Sequence, residues 1–203
     1  MGRNTLRRIA KKMRKQNNAG LTLTEMIVTF ALLALFMVAA TRVISYIIGI
    51  YYAASGNSYG LQVSNMISNR VVGQIEGAER SMNPSITSDG SGIDSISLID
   101  ASGSNITITA SAQPDETGTP QGMYINFHYA QVTEGSVKYD AVDWRFDAKA
   151  YMGYVVKQLR FEDPGSAYPD NVLKMTLVLG NDRYGDFTTV YYIKSVNVEK
   201  FEF

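Results

Sequence analysis

The sequence predicts an α+β protein in which a long N-terminal helix packs on a mainly antiparallel β-sheet head. Three observations lead there. Met26 to Thr41 contains no charged residue and opens the helix. A stripe of apolar residues at steps of three and four then carries the helical pattern toward residue 80. After Pro84 the pattern changes to alternation in steps of two, the period of a strand with one buried face. At 203 residues the chain has room for one modest globular domain plus an extended element.

The first element is a basic leader. Residues 1 to 20 hold Arg3, Arg7, Arg8, Lys11, Lys12, Arg14 and Lys15 and no acid. The formal charge of the whole chain is zero, so the remainder, with 12 basic and 19 acidic residues, carries −7. A body of that sign does not attract phosphates, which excludes nucleic acid as a partner. The absence of Cys excludes disulfides, thiol catalysis, thiolate zinc sites and lipid attachment through an N-terminal Cys.

Next comes the span. Leu21 to Thr41 is interrupted only by Glu25 and matches the ~20 residues that cross a bilayer as a helix. The basic cluster ahead of it stays cytoplasmic by the positive-inside rule, which puts the C-terminal body outside the membrane. Tyr46, Tyr51 and Tyr52 suit the outer interface. Glu25 stands out, because an ionised carboxylate inside a span costs about 2 to 3 kcal/mol and calls for a partner. Its other reading is a carboxylate at the level of the lipid headgroups.

Gly20, then Leu21-Thr-Leu-Thr-Glu25 and an unbroken apolar run, all behind a basic leader, resemble the class III signal of type IV prepilins and type II secretion pseudopilins. The resemblance implies cleavage between Gly20 and Leu21 by prepilin peptidase, N-methylation of Leu21, and an assembly role for Glu25, the fifth mature residue. It also implies the family's lollipop form, with a protruding helix and a head wrapped on its distal half. An ammonium on Leu21 and a carboxylate on Glu25 are each costly alone in a low dielectric, and pairing between neighbouring subunits answers both. The implied partners are prepilin peptidase, other pilin or pseudopilin subunits, the pilus or secretion assembly platform, and the membrane. The implied location is a single-pass cytoplasmic membrane protein before assembly and a cell-surface filament after it.

Beyond the membrane the helix becomes amphipathic. Tyr59, Val63, Met66, Ile67, Val71, Ile75 and Ala78 form the apolar stripe, while Asn65, Ser68, Asn69, Gln74 and Glu76 take the other side. Asn83-Pro84 is expected to stop it. A helix from Leu21 to about Arg80 would be roughly 90 Å long at 1.5 Å per residue. Gly49, Gly56, Gly60, Gly73 and Gly77 each weaken it by about 1 kcal/mol relative to Ala, so any melting on assembly is expected around Gly56-Asn-Ser-Tyr-Gly60.

Seven strands are expected in the head, at 93–99, 106–110, 123–129, 137–146, 152–161, 172–179 and 187–196, the last two joined by the turn-rich Gly180 to Asp186. Residues 85–92 and 112–122 read as exposed loops. The expected organisation is therefore a leader at 1–20 removed on maturation, a transmembrane and assembly half of the helix at 21–42, an amphipathic stalk half at 43–82, and an extracytoplasmic β-rich head at 83–203.

Catalytic and metal motifs are not found. His128, the single histidine, lies in the alternating run from Met123 to Tyr129 and reads as a strand-face residue. Asp89, Asp94, Asp163, Asp170, Asp182 and Asp186 fall in or near loops, and Asn181-Asp182 with Asp186 matches no standard calcium loop. The sequence contains no nucleophile elbow, Walker loop, dinucleotide fingerprint or zincin motif. No enzyme, cofactor or metal is expected, and the 13 Tyr and 8 Phe read as sheet packing. The reading that follows is a structural subunit, a minor pilin or pseudopilin, of a type IV pilus, competence or type II secretion-like filament. The alternative is a secreted or single-pass anchored β-rich binding domain, released at Thr41 if Val38-Ala-Ala40 serves as a signal peptidase site.

Overall fold

The structure is a computed structural model that describes residues 22–79, 82–114, 120–134 and 137–203. The leader expected at residues 1–20 and the first mature residue, Leu21, lie outside the described residues. The chain divides into two compact units, one reaching Ile50 and one running from Tyr51 to Phe203. A 54-residue helix, α1 (Leu23–Glu76), contributes to both.

In the first unit α1 is apolar all round and exposed, with Leu35 and Phe36 each 69% accessible. Three of its hydroxyls turn inward on the helix. The hydroxyls of Thr29, Thr41 and Ser45 donate to the carbonyls of Glu25, Met37 and Thr41 at 2.7, 2.8 and 2.9 Å. Satisfying such groups within the helix is what a hydrocarbon surrounding demands. Among the described residues this is one helix long and apolar enough to cross a membrane.

In the second unit the expected stripe is buried: Val63, Ile67, Val71 and Ile75 on α1, and Ala78 just past its end, are at most 1% exposed, with Tyr59 and Met66 partly buried against the same core. Ser68, expected on the solvent side, is buried, and its hydroxyl donates to the Asn65 carbonyl at 3.3 Å. The helix stops at Glu76, earlier than Asn83-Pro84 would impose. The last turn tightens there, with Ala78 N–H on Ile75 O at 3.3 Å, and Glu79 N–H then donates to Ile99 O at 2.8 Å. The backbone leaves the helix because a strand end offers it a partner.

Ten strands follow: β1 (Ser85–Ser88), β2 (Asp94–Ile99), β3 (Asn105–Pro114), β4 (Pro120–Tyr129), β5 (Val132–Glu134), β6 (Val137–Tyr139), β7 (Val142–Arg145), β8 (Val155–Glu162), β9 (Val172–Asn181) and β10 (Gly185–Lys194). They form an antiparallel five-stranded sheet in the order β1-β2-β3-β4-β7, a three-stranded sheet β10-β9-β8, and the β5–β6 hairpin. The alternation read from sequence sets the inner faces. Ile96, Leu98, Ile106, Ile108, Ile125 and Phe127 are buried from the first sheet, and Leu159, Phe161, Met175, Leu177 and Leu179 from the second. Each such side chain contributes about 1.5 to 3 kcal/mol on full burial.

Several expected boundaries differ; β5 falls in no expected strand, β4 begins at Pro120 inside the segment expected as a loop, and the strand expected at 187–196 is β10. The segment expected at 137–146 is two strands, β6 and β7, broken at Asp140 and Ala141. The segment expected at 152–161 starts later, after a short 3-10 helix (Ala148–Tyr151), because Met152 and Gly153 both take positive φ. β1 lies in the segment expected to be a loop, as does the end of β3 beyond Ala112. The two large sheets meet where Ile93 and Leu159 form a parallel bridge, Leu159 N–H donates to Gly92 O at 3.0 Å, and Phe161 N–H donates to Asp94 Oδ2 at 3.0 Å.

Candidate functional site

The residue singled out by its charge, Glu25, occupies the first turn of α1. Its carboxylate folds back on the residue that precedes the helix. Thr22 N–H and the Thr22 hydroxyl both donate to Glu25 Oε2, at 2.8 and 2.9 Å, and Glu25 N–H donates to Thr22 Oγ1 at 3.2 Å. This is a reciprocal capping box, in which Thr and Glu three apart satisfy amides that the first helical turn leaves unpaired. The positive end of the helix dipole further favours the anion at this point. Oε2 is fully engaged, whereas Oε1 has no partner among the described residues.

Thr22 has its own signal in the sequence, for Thr22-Leu-Thr-Glu25 is a hydroxyl, two intervening residues and an acid, then an apolar run. Chemically, the arrangement holds a carboxylate in a fixed rotamer at the start of an apolar helix, with one oxygen bound locally and the other free to accept a donor. The two other sequence-derived residues, Gly20 and Leu21, lie outside the described residues.

A second feature lies at Gly56 to Gly60, which are helical in α1. Both glycines are buried. A Cβ at Gly56 would stand 2.8 Å from Tyr184 Cβ, and one at Gly60 would stand 2.5 Å from Phe187 Cγ. The Tyr154 hydroxyl donates to the Gly56 carbonyl at 2.9 Å, and the Ser64 hydroxyl sits 2.6 Å from Thr189 Oγ1 and 3.0 Å from Tyr191 Oη. Small residues therefore form a seam that lets β10 approach α1. Arg183, on the β9–β10 turn, donates to Tyr52 Oη at 3.1 Å with its guanidinium 4.8 Å from the Tyr52 ring centre. That hydrogen bond, with the tyrosine charges around it, raises the pKa of Arg183.

Four of the six acids in or near loops have other occupations. Asp89 and Asp163 accept from the amides of Ser91 and Gly165, Asp94 from that of Phe161, and Asp186 from Lys157 Nζ at 2.6 Å. Asn181 Oδ1 accepts the amides of Arg183 and Tyr184 at 2.8 and 3.0 Å, closing the turn between β9 and β10. Among the described residues no three His, Asp or Glu side chains are grouped to hold a metal ion. His128 lies on the exposed face of β4, 2.9 Å from Asp143 Oδ1 across the β4–β7 pair. Asn126 and His128 together lower the pKa of Asp143.

Residues 15–41 match the prokaryotic N-terminal methylation motif, the class III signal of type IV pilins and pseudopilins. The motif spans the end of the basic leader, the cap at Thr22 and Glu25, and the charge-free helix that follows. With the apolar helix that follows, the motif supports a prepilin peptidase substrate anchored in a membrane. No curated protein and no solved structure matches the chain.

Proposed function

We propose that the chain is a structural subunit, a minor pilin or pseudopilin, of a type IV pilus, competence or type II secretion-like filament. On this reading prepilin peptidase cuts between Gly20 and Leu21, Leu21 is N-methylated, and the subunit enters the filament through its N-terminal helix. The observation that carries it is the methylation motif at residues 15–41 with Glu25 placed in the first turn of an exposed apolar helix.

The mechanism follows from charge in a low dielectric. Before assembly the basic leader holds the N-terminus in the cytoplasm and α1 crosses the membrane with the head outside. Cleavage removes the leader's positive charge and exposes an ammonium on Leu21. Neither that ammonium nor the Glu25 carboxylate is tolerable alone among apolar side chains. Glu25 of an incoming subunit meets the Leu21 amine of one already in the filament, and the pair sets the axial register of helices whose apolar surfaces would otherwise slide. The cap prepares this contact. Oε2 is held by Thr22 and fixes the side chain, while Oε1 remains open to a charge-assisted bond.

The test is the mature N-terminus together with a substitution. Mass spectrometry of protein from cells with an active prepilin peptidase should give Leu21, carrying a methyl group. A chain starting at Thr41 or an uncut Met1 would refute the reading. Glu25→Val should still be cut but should fail to enter filaments; normal incorporation would remove the pairing role.

A further inference from the structure

The exposed apolar part of α1 ends in tyrosines. Ile47, Ile48, Ile50 and Tyr51 are exposed, and Tyr52 follows half-buried. A bilayer with its headgroup layers is about 40 to 45 Å thick, which at 1.5 Å per residue takes about 28 residues of helix. Counted along α1 from Leu23, that length ends near Ile50 and Tyr51, at the outer headgroup layer. Tyrosine is favoured at this depth, where its ring meets the apolar side and its hydroxyl meets water.

A cation lies against these rings. Arg183, exposed on the turn between β9 and β10, has its guanidinium 4.8 Å from the Tyr52 ring centre and 5.7 Å from that of Tyr184, and it donates to Tyr52 Oη at 3.1 Å. Tyr184 is itself packed against Tyr52, Tyr59 and Tyr154, with ring centres 5.7 to 6.4 Å apart. The aromatic faces hold the guanidinium in one place while it stays at the surface. Among the described residues no carboxylate lies within ion-pair distance of Arg183, and Asp186, the acid at the end of the same turn, is taken by Lys157 Nζ at 2.6 Å. Tyr52 Oη is the one acceptor that engages the guanidinium among the described residues, which leaves its other N–H groups open.

We infer that, while α1 is in the bilayer, the β9–β10 turn rests on the outer headgroup layer and Arg183 takes a lipid phosphate. The inference rests on the membrane-anchored reading and adds to the span a lipid site in the β-rich unit. A phosphate is the partner because it supplies, at the depth of Tyr51 and Tyr52, the anion that Arg183 lacks within the chain. Its oxygens accept the paired N–H groups of a guanidinium in a charge-assisted contact. Every phospholipid carries that group, so the site needs no particular headgroup. The contact exists only in the membrane and therefore belongs to the state before assembly.

The chain has no cysteine, so a single introduced one carries a nitroxide label without background. The full chain, reconstituted in vesicles of phosphatidylethanolamine and phosphatidylglycerol, is labelled at Asp182→Cys on the exposed turn, and the relaxation of the lipid phosphorus is read by nuclear magnetic resonance. Ser102→Cys, on the turn after β2 and beyond the point where Glu79 meets Ile99, is the distant reference, and Ile47→Cys reports the span itself. Relaxation should be several-fold faster with the label at 182 than at 102. Adding Arg183→Gln to the Asp182→Cys chain should remove most of that excess, and Arg183→Lys, which keeps the charge, should retain most of it. An equal excess in Arg183→Gln would overturn the phosphate contact, and a loss in Arg183→Lys as large as in Arg183→Gln would do the same by making the effect one of turn geometry. Fast relaxation from 47 with none from 182 would overturn the docked turn and leave the membrane anchor intact. No effect from either position would refute the anchor on which the inference rests.

Discussion

Gly60 packs so closely on Phe187 that a Cβ added to it would lie 2.5 Å from the ring Cγ. By helix propensity alone, Gly60→Ala should stabilise α1 by about 1 kcal/mol. Forcing a methyl group into a packed seam costs about 1 to 3 kcal/mol, and Phe187 is held on β10 between the helix and β9. Gly60→Ala is therefore expected to lower the unfolding midpoint of the full chain in detergent, and Gly73→Ala, with nothing within 4 Å of its Cβ, to raise it. Equal stabilisation by both would remove the close-packing role.

The cap at Thr22 makes a separate prediction. Thr22→Ala removes both hydroxyl contacts with Glu25 and should cost the helix about 1 kcal/mol, confined to its first turn. Hydrogen exchange of the full chain in detergent should speed up at the amides of Glu25 and Met26 and stay unchanged beyond Arg42. Thr22→Ser keeps the hydroxyl and should restore protection. Unchanged exchange in Thr22→Ala would mean that the capping box does not hold the helix start.

What was legible in the sequence was periodic or local. Val63, Ile67, Val71 and Ile75 announce a buried helix face by spacing alone, and they are that face. Glu25 announces itself as the one charge in an apolar run. What was not legible depends on partners far along the chain. Ser85 to Ser88 reads as a polar loop and becomes β1 because Glu202 supplies its edge bonds and β2 its ladder. Gly56 and Gly60 read as weak points because nothing local says that Tyr184 and Phe187 need the room. Ser68 looks solvent-facing by composition, yet it is buried.

Asp94 tests how the two sheets are joined. It is 3% exposed, its Oδ2 accepts Phe161 N–H at 3.0 Å, and its Oδ1 has no partner among the described residues. Asp94→Ala leaves the Phe161 amide unpaired in the interior and should cost about 1 to 3 kcal/mol. Asp94→Asn keeps an acceptor at the same place and should cost less, which denaturant unfolding of the two variants will rank. If Asn proved as damaging as Ala, the negative charge itself would be the requirement at the junction of β2 and β8.

Tyr151 makes stability depend on alkaline pH. Its side chain is fully buried, Ile125 N–H donates to its hydroxyl oxygen at 2.9 Å, and burial pushes its pKa from 10.0 up to about 12. Below pH 10 the hydroxyl is protonated in both folded and unfolded chains, so its contribution is fully present. As pH rises from 10 to about 12 the unfolded chain releases the proton while the folded chain retains it, which favours unfolding. Each tenfold difference in proton affinity between the two states is worth about 1.4 kcal/mol, so the loss should approach about 2 to 3 kcal/mol and level off once the folded hydroxyl also ionises. Burial also raises the pKa values of Tyr124 and Tyr154, so the full chain should keep some alkaline slope in Tyr151→Phe. That variant should start less stable, with the Ile125 amide unpaired, but should lose less on going from below pH 10 to above about 12 in denaturant titrations. Parallel losses in the two proteins would show that Tyr151 ionises in the folded state as readily as in the unfolded one, which its buried position forbids.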